Sequence, residues 1–351
     1  MSDLLSKGMT CPVCGGNCIK DSAEIINSLE TIFLPCKSCG EKIRDKRKPP
    51  SEDFSMPCPS CGKRFIDDVL CHCYFIMAEE RDISPDMPLM SVGMPLVNPG
   101  FAMRRPPHLP AKSLVLLSKY VSLKSAKRIV DEVPEVGGVL KDENMVPGIS
   151  CGEEGFSFHK NRLLAGCDVR CDVFHAGRQP FLIYKEQSAM HIEFPRGFDP
   201  KIMSVRSNIH KYLPDIFVDA CSGAGTLGIS AALFGVNSVV FNDLWYAAAF
   251  WSSVNLFSNR TLLGISEFRL LSDYSSLKEN PAGEKIITVA CAKSPYGEFK
   301  VYQGDLKNLA PYIPKGETLT ALDFFEKKNT EFISGAISKW KTNTGGHAFI
   351  P

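Results

Sequence analysis

The stretch from Asp215 to Arg260 limits what this chain can fold into more than any other. It reads "DIFVDACSGAGTLGISAALFGVNSVVFNDLWYAAAFWSSVNLFSNR". An apolar run leads into a loop with glycines at Gly223, Gly225 and Gly228, and a helical pattern opens at Gly225. A second apolar run, "NSVVFNDL", ends in Asp243, and another helical segment follows. Continuous apolar runs of this length are strands buried on both faces, and joining two of them through a helix predicts a parallel β-α-β unit. Asp243 stands 20 residues beyond Gly223, the spacing of a nucleotide-binding crossover.

Asp219 decides which nucleotide suits the loop. A dinucleotide places its pyrophosphate at the helix N-terminus, and a carboxylate at the end of the first strand would repel it. S-adenosylmethionine has no phosphate and carries an ammonium and a sulfonium, which an acid attracts. The sequence therefore favours S-adenosylmethionine over NAD. Gly223, Gly225 and Cys221 belong to the loop, and Asp243 is placed to accept from the ribose hydroxyls.

The other strong signal is cysteine. Nine of fourteen cysteines precede residue 74. They include the pairs Cys11/Cys14, Cys36/Cys39 and Cys58/Cys61, followed by Cys71 and Cys73 in "CHC". Each Cys-x-x-Cys-Gly turn lets two thiolates face one ion, and tetrahedral zinc needs two such turns. Pairing in sequence order predicts two zinc ions, one on Cys11, Cys14, Cys36 and Cys39 and one on Cys58, Cys61, Cys71 and Cys73. Cross-braced pairing and an iron–sulfur cluster are the alternatives. Cys18 and His72 are spare candidates, whereas Cys167 and Cys171 look too isolated to be ligands.

The net charge of +1 gives no general basic surface for nucleic acid. The local run "KIRDKRK" (42–48) reads as a solvated loop before a binding patch. No apolar run reaches membrane-spanning length, and "MSDLLSKGMT" lacks a secretory core, so the expected location is the cytoplasm. The expected organisation is a double zinc-ribbon region (1–83), an extended Pro/Met-rich linker (84–110) and a small α+β region (111–197). A Rossmann-like α/β domain fills 198–351. Within the middle region, 111–133 has helical character, and "QPFLIYK" and "AMHIEF" read as strands.

From residue 190 onward the chain resembles class I S-adenosylmethionine-dependent methyltransferases, and within them the tRNA guanine-N2 dimethyltransferase group. The resemblance rests on Phe198-Asp199-Pro200 with Arg206, on the glycine loop, on "NDL" (242–244) and on "LDFF" (322–325). It implies that Arg206 belongs to the cofactor site. It also implies that Asp323, with Phe324 and Phe325, replaces the group's Asp-Pro-Phe-Gly segment against an exocyclic amine. Phe324 and Glu326 depart from that segment, and the substrate does not carry over with it.

Two registers fit 263–326. In the first, "FKVYQGDLKNL" is the third strand, Asp305 lies near the adenine, Asp323 closes the fourth strand, and 263–298 is an insertion. In the second, "EFRLLSD" and "KIITVACAKSPYG" take those places and Ser294-Pro295-Tyr296 replaces the catalytic segment. The first accounts for more of the downstream sequence. The sheet ends early at Pro351, either abridged or completed by earlier segments. The leading expectation is a methyltransferase acting on RNA. A protein side chain as acceptor, or a non-catalytic interaction module, stands behind it.

Overall fold

The computed structural model describes residues 8–51, 53–152, 155–324 and 330–351. Helix α1 (Ser22–Ser28) is capped by the Asp21 carboxylate, which accepts from the Ala23 amide. Strand β1 (Arg64–Phe65) runs into α2 (Ile66–Glu79), whose first turn carries Asp67 and Asp68. There follow β2 (Met94–Val97), β3 (His108–Leu109), β4 (Leu114–Ser118), α3 (Leu123–Glu132) and β5 (Val136–Lys141). A hairpin of β6 (Gly148–Gly152) and β7 (Gly155–His159) leads to β8 (Arg162–Gly166).

Strands β2-β4-β5-β8 form one sheet, with β4 and β5 parallel across α3. Its core joins Val69, Tyr74 and Met77 of α2 to Ile129 of α3 and to Leu114, Leu116 and Val139 of the sheet. The basic run at 42–48 docks on the first turn of α2. Arg44 donates to Asp68 from its guanidinium and to Asp67 from its amide, both at 2.8 Å, and Lys46 pairs with Asp67. Anionic side chains favour a helix N-terminus, and here the cations follow them in.

Three expectations for residues 84–194 need correction. Residues 84–110 are not a linker laid over the surface, because Leu89, Val92, Leu96, Val97 and Leu109 are core residues and β2 pairs with β4. Within 111–133, "LVLLS" is strand β4, buried at every position, and only the part from Leu123 is helix. A five-residue apolar run carries no period that separates strand from helix. Residues 189–194 lie in no strand; Ala189 and Met190 turn back onto the carbonyl of Glu186.

The second half begins with the hairpin β9 (Val169–Ala176) and β10 (Gln179–Glu186). Then come α4 (Pro200–Tyr212), β11 (Ile216–Asp219), α5 (Thr226–Leu233), β12 (Ser238–Asp243) and α6 (Tyr246–Ser258). The segment after α6 holds β13 (Glu267–Leu270), α7 (Tyr274–Lys278) and β14 (Ile287–Ser294). Strand β15 (Gly297–Gln303), β16 (Thr318–Ala321), α8 (Thr330–Thr344) and β17 (His347–Phe349) complete the chain. The sheet is seven-stranded, in the order β13-β14-β15-β12-β11-β16-β17. Strands β15 to β17 in that order pair in parallel, whereas β13 and β14 add on antiparallel. This is a Rossmann-like α/β sheet in the first of the two registers. The insertion at 263–298 extends the edge opposite β17 with two antiparallel strands.

All thirteen residues of α6 are buried, because the helix is covered by the sheet on one side and by the β9–β10 hairpin on the other. Its polar residues then need partners. The Asn255 amide accepts from the Tyr184 N–H (2.6 Å) and donates to the Tyr184 carbonyl (2.9 Å). Asn259 does the same with Leu182, at 2.9 and 2.7 Å. One helical turn and two strand residues span nearly the same length, ~6 Å, so two asparagines four apart serve as a strand edge for β10.

Candidate functional site

Two groups of four thiols stand out among the described residues. They are Cys36, Cys39, Cys58 and Cys61, and Cys11, Cys14, Cys18 and Cys167. In the first, Sγ atoms approach at 3.7, 3.7 and 3.5 Å, and in the second at 3.9, 3.8 and 3.9 Å. A disulfide holds its sulfurs at ~2.05 Å. Four sulfurs at ~2.3 Å around a tetrahedral zinc ion lie ~3.8 Å apart. Each group therefore fits one zinc ion. The turns are those of metal knuckles, with Gly15 and Gly62 at φ +70° and +71° after the second cysteine of the pair.

The thiols are grouped differently from pairing in sequence order. Cys36/Cys39 meet Cys58/Cys61, while Cys11 and Cys14 are completed by Cys18 and by Cys167. Cys71 and Cys73 lie two apart on α2, fully buried, and two such positions point away from each other on a helix. They pack as small apolar groups, and the Cys71 thiol donates to the Ser51 carbonyl. His72 stacks on Phe54 at 4.7 Å and faces Arg64, away from both thiol groups. Cys18 was a spare candidate in the sequence; Cys167 had no signal, being 149 residues further on with no Cys-x-x-Cys partner.

The glycine loop closes the end of β11. Asp219 is fully buried; its Oδ2 accepts from the Gly228 amide at 2.8 Å, and Oδ1 has no hydrogen-bond partner. Burial raises this carboxyl to about 7; the Gly228 amide offsets part of the rise, and the charges of Asp323 and Asp243 add to it. Asp243 accepts from the Gly223 amide through Oδ2 and from the Trp245 amide through Oδ1, both at 2.9 Å. Burial raises it to about 6 despite those two donors. Gly223 and Gly225 take φ +53° and +85°, and the space in front of Gly223 is open. Asn255, already bonded to β10, also donates to the Ala224 carbonyl at 2.9 Å, and Ser252 donates to that of Gly223 at 3.0 Å. The loop is thus held from behind by α6 and left open in front.

Gly228 has a packing role. A Cβ there would stand 2.2 Å from Cε1 of the buried Phe241 ring. Gly228→Ala is expected to push α5 off the sheet and cost ~2–3 kcal/mol, the usual scale of core overpacking. A urea midpoint unchanged from the parent protein would contradict this.

The remaining sequence candidates divide. Asp305 caps the turn after β15, accepting from the Lys307 amide, and its neighbour Gly304 donates to the Asp243 carbonyl at 2.9 Å. Cys221 sits in the loop, half-buried. Asp323 follows β16, beside β11, and its Oδ2 accepts from the Lys201 ammonium at 2.6 Å. Lys201 is a residue that sequence reasoning passed over. Phe324 is half-buried against the cluster of Val218, Ala220 and Leu322, on the face of the sheet away from α6. Phe325 lies outside the described residues. Arg206 is corrected: its guanidinium lies over the Phe234 ring at the C-terminal cap of α5, the opposite end from the glycine loop. The repeat of helix α4 turns it there. No helix among the described residues is long and apolar enough to cross a membrane.

No family model and no curated protein matches this chain. Among solved structures it is similar to Trm1 from Pyrococcus horikoshii in complex with S-adenosyl-L-methionine, at 24% identity over 47% of this chain and 38% of that one, with a TM-score of 0.30. It is similar also to wild-type Trm5b from Pyrococcus abyssi, at 16% identity over 64% and 54%, TM-score 0.31. A third is TYW2 from P. horikoshii in complex with MeSAdo, at 15% identity over 54% and 60%, TM-score 0.31. The matched part is less than two thirds of each of these three proteins.

Proposed function

We propose that the chain is an S-adenosylmethionine-dependent methyltransferase acting on a macromolecule in the cytoplasm, with an RNA base as the first acceptor to test. One observation carries the cofactor assignment. The Gly228 amide, in the first turn of α5, is already taken by the buried Asp219 carboxylate. In a dinucleotide site that turn receives pyrophosphate. Here it holds a buried carboxyl whose other oxygen has no hydrogen-bond partner, and a side chain at Gly223 would meet open space. A cation fits and a phosphate does not.

The cofactor would supply an already activated methyl group, so the protein's part is mainly to hold donor and acceptor in line. Asp219 and the loop would hold the cationic end, Asp243 the ribose and Asp305 the adenine. An acceptor proton would pass to Asp323 or to water. Phe198, 63% exposed and three residues before Lys201, offers a ring for a base to stack on near that acid. A protein acceptor is the second reading, favoured by the way Arg44 and Lys46 are engaged by Asp68 and Asp67 and are thus withdrawn from phosphate.

Calorimetric titration with S-adenosylmethionine, S-adenosylhomocysteine and NAD tests the reading. Both sulfur compounds are expected to bind, NAD is not, and Asp243→Ala should weaken binding about thirtyfold, two lost hydrogen bonds to ribose at ~1 kcal/mol each. Binding of NAD alone would overturn it. RNA binding that falls steeply between low and moderate salt would separate RNA from protein as substrate.

A further inference from the structure

Three carboxylates end neighbouring strands. Asp219 closes β11, Asp243 closes β12 on one side of it, and Asp323 follows β16 on the other. They stand close enough that Asp323 and Asp243 both weigh on the Asp219 carboxyl. Such a group repels itself unless a cation joins it. The structure supplies one from outside the sheet. Lys201, in the first turn of α4, sets its ammonium 2.6 Å from Asp323 Oδ2, and the same ammonium acts favourably on Asp219. It is held in place by the start of its helix, where Asp199 accepts from the Lys201 and Ile202 amides at 2.9 and 3.2 Å. Lys201 is 45% exposed and Asp323 17%, so the pair sits at the mouth of the carboxylate group and can part without unpacking the core.

We propose that Lys201 is a specificity-determining residue of this site: its ammonium offsets part of the carboxylate charge and so sets the preference for the charged methyl donor over the neutral thioether left after transfer. The inference rests on the cofactor reading above and deepens it. Its logic is one of charge. Methyl transfer discharges a sulfonium, so a site that binds the sulfonium too well stabilises the ground state against the transition state and slows the step. Carboxylates at full strength would do that. A lysine near them weakens the attraction for the donor and leaves the uncharged product almost unaffected, since the two differ by one positive charge and one methyl group.

The test is the ratio of dissociation constants for S-adenosylhomocysteine and S-adenosylmethionine, measured calorimetrically on the full chain at one pH and salt. Lys201→Gln is expected to raise the preference for the charged donor about tenfold, the effect of one unit charge at ~10 Å in an effective dielectric of about 20–30. Lys201→Arg, which keeps the charge, should leave the ratio near that of the parent. Asp323→Asn, which leaves the lysine without its carboxylate, should shift the ratio the other way. A ratio unchanged in Lys201→Gln while both compounds still bind the parent protein would overturn the role of Lys201 and leave the cofactor reading standing. Failure of both compounds to bind the parent protein would overturn the two together. A purely structural role for Lys201 would weaken both ligands in parallel, and that outcome also refutes the proposal.

Discussion

Removing metal from the two thiol groups is expected to dismantle the molecule in two separable parts. Cys11 belongs to the core of the seven-stranded domain, where Met9, Cys11 and Ile19 are buried with β9, β10 and α6, and Cys18 and Cys167 pack against it, while Cys14 completes their thiol group from the exposed side. The segment is also pinned by polar contacts. The Lys20 amide donates to the Tyr184 hydroxyl at 3.0 Å, and Asp21 pairs with Arg260 at 2.8 Å and accepts from Thr261 at 2.9 Å. Cys36, Cys39, Cys58 and Cys61 stand instead beside the other core, which takes in Phe33 and α2. Structural zinc contributes ~10–16 kcal/mol to small domains, as much as the whole stability of an ordinary one.

Cys61→Ser should therefore lose one of two zinc equivalents, loosen the domain of α2 and α3, and leave cofactor binding intact. Cys14→Ser should lose the other equivalent and cofactor binding with it. The path is short: the thiol group anchors the start of β9, β10 is bonded to Asn255, and Asn255 holds Ala224 of the glycine loop. Zinc content, calorimetric melting and cofactor titration of the two variants decide the matter. A single shared melting transition, or equal loss of cofactor binding in both, would refute the division into two cores.

The sequence made the glycine loop and its crossover legible and the thiol grouping illegible for one physical reason, the range of the contacts involved. Strand β11, its loop, α5 and β12 are consecutive, and a central parallel strand buried on both faces shows as an unbroken apolar run. Asp219 and Asp243 could be placed from spacing alone. Cys167 could not, because the fold brings it to Cys11 across 156 positions, and nothing local marks it. Lys201 was hidden in the same way, 122 positions from Asp323. Cys71 and Cys73 misled in the opposite direction: their closeness in sequence suggested shared ligation, while the helix that holds them keeps them apart. The linker reading of 84–110 failed because Pro and Met dominate its composition, although the few residues that face inward decide its place.

Asp219→Asn is expected to make the cofactor-free protein more stable at pH 8 and to weaken its affinity for the cofactor more than a hundredfold. The folded protein holds the Asp219 proton up to about pH 7, against 3.8 in the unfolded chain. A carboxyl raised in this way burdens the folded state with the cost of ionising it, a burden that grows from pH 4 to pH 7 and levels off above. Three pH units correspond to at most ~4 kcal/mol, and relaxation around the group reduces that, so a gain of ~1–2 kcal/mol is the reasonable expectation for the variant. Asparagine keeps an acceptor for the Gly228 amide, so the loop needs no rearrangement. What it lacks is the charge that meets a cation, and a loss of more than a hundredfold in affinity, about 3 kcal/mol, follows from removing one buried charged partner. The parent protein's affinity should rise between pH 6 and 8, as Asp219 gives up its proton in the company of Asp243, Asp323 and Lys201; the variant's residual binding should lack that rise. Urea denaturation and cofactor titration across this pH range measure both halves. A variant less stable than its parent at pH 8, or one that still binds tightly, would show that Asp219 is held there for packing, whereas a more stable and inactive protein would mean that the carboxyl is kept in the core for the ligand.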